Sequence, residues 1–130
     1  MFQSKKRGIH IPPGRHPWPH EMHTAEVLAL AGHYVEFLTE TALKSPDIRI
    51  DDTTDYEIKS PETELTRSIE QTIRIALRQS PNIIIDACRL KMRDDKAIAY
   101  LTKKCREQKQ IKRMLYISKK NEIIDIFGLI

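Results

Sequence analysis

A chain of 130 residues, 40% hydrophobic and 31% charged, is long enough for one core and too rich in apolar residues to be a disordered segment. No apolar run approaches the length of a membrane span, and the opening M-F-Q-S-K-K-R lacks the apolar stretch of a signal peptide. The formal net charge is only +4, but residues 21–70 hold four basic and twelve acidic residues, net −8, between a basic start and residues 89–120, which carry net +9.

An acidic centre between basic flanks fits a metal site set in a polyanion-binding surface. Ordinary solvated helix faces are the plainer alternative. Cys88 and Cys105 sit in unrelated contexts and read as buried or free thiols in a reducing compartment.

Residues 1–18 read as an irregular basic arm, with Lys5, Lys6, Arg7 and Arg15 among prolines, glycines and histidines, and residues 19–130 as a single domain. A first helix is expected from about Pro19 to Ala31: Pro19 suits a first turn, Glu21 complements the positive end and Gly32 can terminate it. Ala25, Leu28 and Ala29 give its apolar stripe. Tyr34 to Leu38 alternates as a strand.

Ser45 to Pro61 reads S-P-D-I-R-I-D-D-T-T-D-Y-E-I-K-S-P, a hairpin with turn chemistry at its centre. Side chains two apart on a strand share a face, so Glu57 and Lys59 project together. A three-residue loop pairs Ile50 with Thr54 and brings Asp47 opposite Glu57; a two-residue loop would put Ile48 there. Two carboxylates and a lysine meeting at one point can hold a hard divalent cation beside a phosphate and orient a water. A salt-bridged hairpin face is the plainer reading of the same residues.

Ser60-Pro61 looks like the start of a second helix running to about Gln79, with Leu65, Ile69, Ile73, Ala76 and Leu77 inward. Arg67, Gln71, Arg74 and Arg78 form another stripe. Asn82 to Ala87 contains I-I-I, a strand expected in a sheet covered on both faces. A third helix from about Asp95 to Gln108, N-capped by Asp94, precedes strands at Met114–Ile117 and Glu122–Phe127. The segment from Asn82 to Ile117 is long enough for a parallel crossover, so a mixed α/β sheet flanked by helices is expected.

His16, His20 and His23 have inviting spacing, but no CxxC or HExxH pattern accompanies them, and phosphate-contacting or solvated histidines fit better. Trp18, the only tryptophan, reads as a pin holding the arm to the core, with base stacking as the alternative.

Pro46-Asp47, nine residues, then Glu57-Ile58-Lys59, following a helix and a strand and preceding a helix, resembles the PD-(D/E)XK nuclease superfamily, with its restriction-endonuclease-like fold. The stretches at Pro19–Leu38, Ser45–Pro61 and Ala76–Asp86 are similar to one branch: the C-terminal tRNA-nuclease toxin domains of contact-dependent growth-inhibition proteins of the CdiA type. The resemblance implies metal binding by Asp47, Glu57 and the Ile58 carbonyl, water activation by Lys59, and help from Glu21 in preference to Glu26. It further implies a polar residue near the site at Gln71, and Mg²⁺, or Mn²⁺ or Zn²⁺, as the cofactor.

The implied activity is endonucleolytic cleavage of RNA, with tRNA the expected substrate. The implied setting is delivery into a target cell, action in its cytoplasm, no membrane contact and a cognate immunity protein. Arg67, Arg74, Arg78, Lys103 and Lys104 would then grip the nucleic-acid backbone. Such toxin domains end very long delivery proteins, whereas this short chain begins with Met, so the resemblance fits an excised domain or a stand-alone relative. Two competing expectations are a DNA endonuclease of the same superfamily and a non-catalytic nucleic-acid-binding protein on a degenerate nuclease fold.

Overall fold

The structure, a computed structural model, describes residues 7–40 and 45–130. Lys5 and Lys6 of the expected arm lie outside the described residues. Seven strands form one mixed sheet in chain order: β1 (Gly8–His10), β2 (Tyr34–Phe37), β3 (Ile48–Ile50), β4 (Thr54–Lys59), β5 (Asn82–Asp86), β6 (Arg113–Ile117) and β7 (Ile123–Asp125). β2, β3, β4 and the β6–β7 pair run antiparallel, while β1–β2, β4–β5 and β5–β6 are parallel.

A parallel step cannot be closed by a tight turn and needs a crossover. Here each parallel step has a helix. α1 (Pro19–Leu30) joins β1 to β2, α2 (Thr66–Ala76) joins β4 to β5, and α3 (Asp94–Glu107) joins β5 to β6.

The sheet is covered on both faces. Ile69 and Ile73 of α2 and Ala97, Leu101 and Cys105 of α3 pack with Ile83, Ile85, Met114 and Tyr116. Ala25, Val27 and Leu28 of α1 pack with Val35, Phe37, Ile48, Ile58, Ile84 and Ile117. The I-I-I run is therefore divided, with Ile83 and Ile85 to one side and Ile84 to the other. Full burial of one such side chain contributes about 2 kcal/mol, which is why this strand carries no polar residue between Asn82 and Asp86.

α1 begins and ends as its sequence directs. Pro19 occupies its first turn, the Glu21 carboxylate accepts the Trp18 backbone N–H at 2.8 Å, and Gly32 leaves the helix at φ +100°, a conformation costly for other residues.

The arm is not wholly irregular, because Gly8–His10 adds β1 beside β2. Three residues are too few to show a period, and the pairing depends on a strand 26 residues away. α2 starts at Thr66, not at Ser60-Pro61. The intervening residues are held by distant groups instead: the Ser60 carbonyl accepts from Arg89 at 2.7 Å and the Thr63 carbonyl from the Met92 N–H at 3.3 Å.

Asp94 is the first residue of α3 rather than its cap. Its carboxylate accepts the Tyr116 hydroxyl at 2.6 Å and the Lys119 N–H at 3.1 Å. The last strand stops at Asp125, whose carboxylate accepts the Phe127 N–H and turns residues 126–129 into a short 3-10 helix.

Candidate active site

The hairpin closes with a three-residue loop. Ile50 pairs with Thr54 and Ile48 with Tyr56, and the same register sets Asp47 against Glu57. Asp51 and Asp52 take positive φ in that loop, at 52° and 61°, which Asp tolerates better than most residues. The Asp47 backbone N–H donates to the Tyr56 carbonyl at 3.0 Å, and its carboxylate accepts the Ile58 N–H at 2.8 Å. The side chain is thereby fixed across the strand pair. Lys59 Nζ stands 3.3 Å from Glu57 Oε2 on the same side of β4.

The N-terminus of α1 brings Glu21 to this point. Glu21, Asp47, Glu57, Ile58 and Lys59 line one cavity of about 380 Å³, within the size range of small-ligand sites. Glu26, the alternative acid on the same helix, is exposed and is not part of that lining.

One residue in this cluster entered the sequence reading only as a charge of the basic arm. Arg15, from the arm, is buried and reaches three acids: Glu21 at 3.4 Å, Asp47 at 3.7 Å and the exposed Glu40 at 3.7 Å. Its Nε donates to the Leu38 carbonyl at 3.0 Å, and its guanidinium lies over Phe37. Arg15 lies 32 residues before Asp47 in an arm without periodicity, so only the fold reveals the pairing. Arginine between glycine and histidine was the one signal available, and it is a weak one.

Arg15 and Lys59 do not balance the three inner carboxylates. Burial pushes the Asp47 carboxyl up to about 8, reinforced by the negative charge of Glu57, against the pull of the Ile58 N–H. Burial also raises Glu57, although Lys59 opposes it. Glu57 Oε1 is buried and has no hydrogen-bond partner among the described residues. A buried carboxylate oxygen without a partner is expensive. The cluster is short of one positive charge, which a shared proton or a divalent cation can supply. An all-oxygen donor set of Asp47, Glu57 and Glu21 suits Mg²⁺ or Mn²⁺ by its hardness.

The expected nucleic-acid-gripping residues are more dispersed. Arg67, Gln71, Arg74 and Arg78 are exposed on or just after α2, and none of them lines the cavity. Thr72 of the same helix does line it, where Gln71 was expected. Arg74 pairs with Glu70 at 3.5 Å, as does Lys104 at 3.4 Å, while Lys103 approaches Glu107 at 3.9 Å. Arg89, from the basic segment 89–120, and His20 both stand on the cavity wall, away from the α2 stripe. His20 is held below its ordinary value by burial first and by the charge of Arg89 second.

A second carboxylate lies close by. Asp86, fully buried at the end of β5, accepts from Thr24 Oγ at 2.6 Å and from the Cys88 N–H at 3.0 Å, with His23 Nδ1 at 2.6 Å. His23 Nε2 is 3.0 Å from Asn121. Burial works against the charged ring, but the hydrogen bond and charge of Asp86 outweigh it and hold His23 above its ordinary value. His23, Asp86 and Cys88 place three ligand-type atoms within 4.8 Å. Every His23 and Asp86 heteroatom is already engaged, and burial raises the Cys88 thiol, so the group acts as a fastener between α1 and β5.

Trp18 does not pin the arm: it is 66% exposed.

Comparison with known proteins bears on the whole chain. None of the curated proteins compared matches it. A solved chain from the CdiA-CT/CdiI toxin and immunity complex of Burkholderia pseudomallei shares the fold at a TM-score of 0.70 and 18% identity, over 91% of this chain and 97% of that one. The family model of the contact-dependent growth inhibition CdiA C-terminal domain matches residues 44–123, which include the hairpin and every strand from β3 to β6. With that match spanning more than half of its length, the chain belongs to the CdiA C-terminal domain family of contact-dependent growth inhibition.

Proposed function

We propose that the chain is a toxin domain that cuts nucleic-acid phosphodiesters with a divalent metal ion, in the manner of the PD-(D/E)XK nucleases, and that its substrate is RNA, tRNA foremost. The observation that carries this reading is the meeting of Asp47 and Glu57 across the hairpin, beside Lys59, with one buried Glu57 oxygen unsatisfied. Family membership supports the toxin role, and the similarity to tRNA-nuclease toxins supports RNA over DNA.

Asp47 and Glu57 would hold the ion, with Glu21 and the Ile58 carbonyl at its margin. When bound, a divalent ion supplies a water of lowered pKa and neutralises phosphate charge. Glu57 holds the Lys59 ammonium in the cavity, where it can donate to a phosphoryl oxygen as negative charge grows there. Arg15 keeps Glu21 and Asp47 from repelling each other apart. Water then adds at phosphorus, the bond to one ester oxygen breaks, and that oxygen leaves with a proton.

The solved relative comes from a toxin and immunity complex. By analogy this chain would be delivered into a target cell, act in its cytoplasm and be neutralised by a cognate immunity protein.

The test is cleavage of labelled tRNA, single-stranded RNA and duplex DNA with Mg²⁺, Mn²⁺ or Zn²⁺, each repeated in EDTA. The reading expects metal-dependent RNA cleavage. Cleavage of duplex DNA alone would move the chain to the DNA endonucleases, and salt-sensitive binding without turnover would make it a non-catalytic binder.

A further inference from the structure

We propose that Trp18 is a stacking platform for one unpaired nucleobase of the strand whose phosphodiester enters the acidic cavity. The proposal rests on the nuclease reading and narrows its substrate to nucleic acid with an unstacked base beside the cut.

Trp18 borders the acidic cavity and is 66% exposed, so its ring is open to a ligand. Its position is fixed rather than loose. Pro17 and Pro19 flank it with restricted φ, its backbone N–H donates to Glu21 at 2.8 Å, and its carbonyl accepts the Met22 N–H at 3.0 Å. The Trp18 backbone is thus held by the same carboxylate that lines the candidate metal site.

Trp18 also stands where three hollows meet. It borders the acidic cavity, a cleft of about 420 Å³ with His20, Cys88 and Arg89, and a groove of about 500 Å³ with Arg15, His16 and Glu40. A strand running from the acidic cavity into either neighbouring hollow passes the indole.

Arg89 bridges the acidic cavity and the cleft. Its guanidinium is braced on Ser60, at 2.7 Å from the carbonyl and 3.3 Å from Oγ, yet its side chain remains 43% exposed. Lys59 stands on the far wall. A planar hydrophobic face beside two cations matches a nucleotide, with the base on the ring and phosphate on the cations. Stacking tolerates any base but requires one free of its neighbours, so continuous duplex is excluded.

The single tryptophan makes the contact directly readable. The full-length chain carrying Glu57→Gln is titrated with a short single-stranded RNA and with the same sequence as a perfect duplex, and tryptophan emission is followed. Saturable quenching by the single strand and little by the duplex is expected. In the otherwise wild-type chain, Trp18→Ala should lower kcat/KM on unpaired RNA by roughly 10- to 100-fold with an unchanged unfolding midpoint, and Trp18→Phe should restore most of it.

Unquenched emission on bound RNA, or wild-type kcat/KM in Trp18→Ala, would overturn the platform. Quenching by RNA that wild type does not cleave would keep the platform while removing the nuclease reading. Neither quenching nor cleavage would remove both.

Discussion

α1 serves two carboxylate clusters within one turn of helix, and they are built on opposite terms. Thr24 and His23 complete Asp86: each of its oxygens has donors, and its neighbour His23 is raised toward the charged form. Glu21 only joins Asp47 and Glu57: one oxygen there lacks a partner, and both hairpin acids are raised toward the neutral form. A satisfied buried carboxylate adds stability and offers nothing to a ligand. An unsatisfied pair stores a charge deficit that a cation relieves. Burial alone does not separate the two, since Asp86 is the more buried of them; the account of partners does.

The contrast is sharpest if each cluster is cut in turn. Glu57→Gln or Lys59→Ala should reduce cleavage to background while leaving the fold intact, as read by an RNA gel beside circular dichroism. Turnover like that of wild type in both variants would rule out this assignment of the site.

Asp86→Ala should do the reverse. It removes the acceptor that Thr24 Oγ and His23 Nδ1 share, leaving Thr24 the His20 carbonyl and His23 only Asn121, and such a loss costs roughly 1–3 kcal/mol, a large share of a marginal domain's stability. A chemical-denaturation midpoint close to wild type would show that Asp86 is not the fastener described.

The pH response of the hairpin cluster should change when metal is present. Asp47 binds a proton in the folded chain up to about pH 8, against 3.8 for a free side chain. The folded form thus holds a proton that the unfolded form releases between those values, so metal-free stability should fall as pH rises through that window. Divalent metal competes with this proton, and its affinity should rise over the same range. Thermal unfolding from pH 5 to 9, in EDTA and in Mg²⁺, would display a falling and a flattened profile respectively. Asp47→Asn should flatten the EDTA profile and remove the effect of Mg²⁺.

The smallest effect belongs to the exposed face of α2. Arg74 is paired with Glu70 in the open, where such pairs contribute little, so Arg74→Ala should leave stability unchanged. If this face grips nucleic acid, affinity should weaken across all sequences and the salt slope should drop by about one charge. An unchanged slope would remove Arg74 from the interface.

What the sequence disclosed follows the range of the interactions involved. The hairpin was legible because D-D-T-T-D, the flanking alternation and the two-residue spacing of Glu57 and Lys59 are local. Its register needed the loop length, which the three residues Asp51 to Thr53 decide. The division of Ile83, Ile84 and Ile85 between two faces was foreseeable from an unbroken apolar run.

Arg15 and the Asp86 fastener were hidden, since their contacts span 32 residues in one case and 62 or 63 in the other. The start of α2 was misread for a related reason. Ser60-Pro61 carries a local start signal, but Arg89, 29 residues away, holds the chain extended there.

The claim beneath all of this is that the Asp47–Glu57 pair lacks a cation that the folded chain is shaped to receive. Titration of Mn²⁺ into the full chain above pH 8, followed by calorimetry, addresses it without any substrate. Saturable binding that disappears in Glu57→Gln and weakens as the pH falls below 8 is the expected result. Absent binding, or binding indifferent to Glu57, would contradict it.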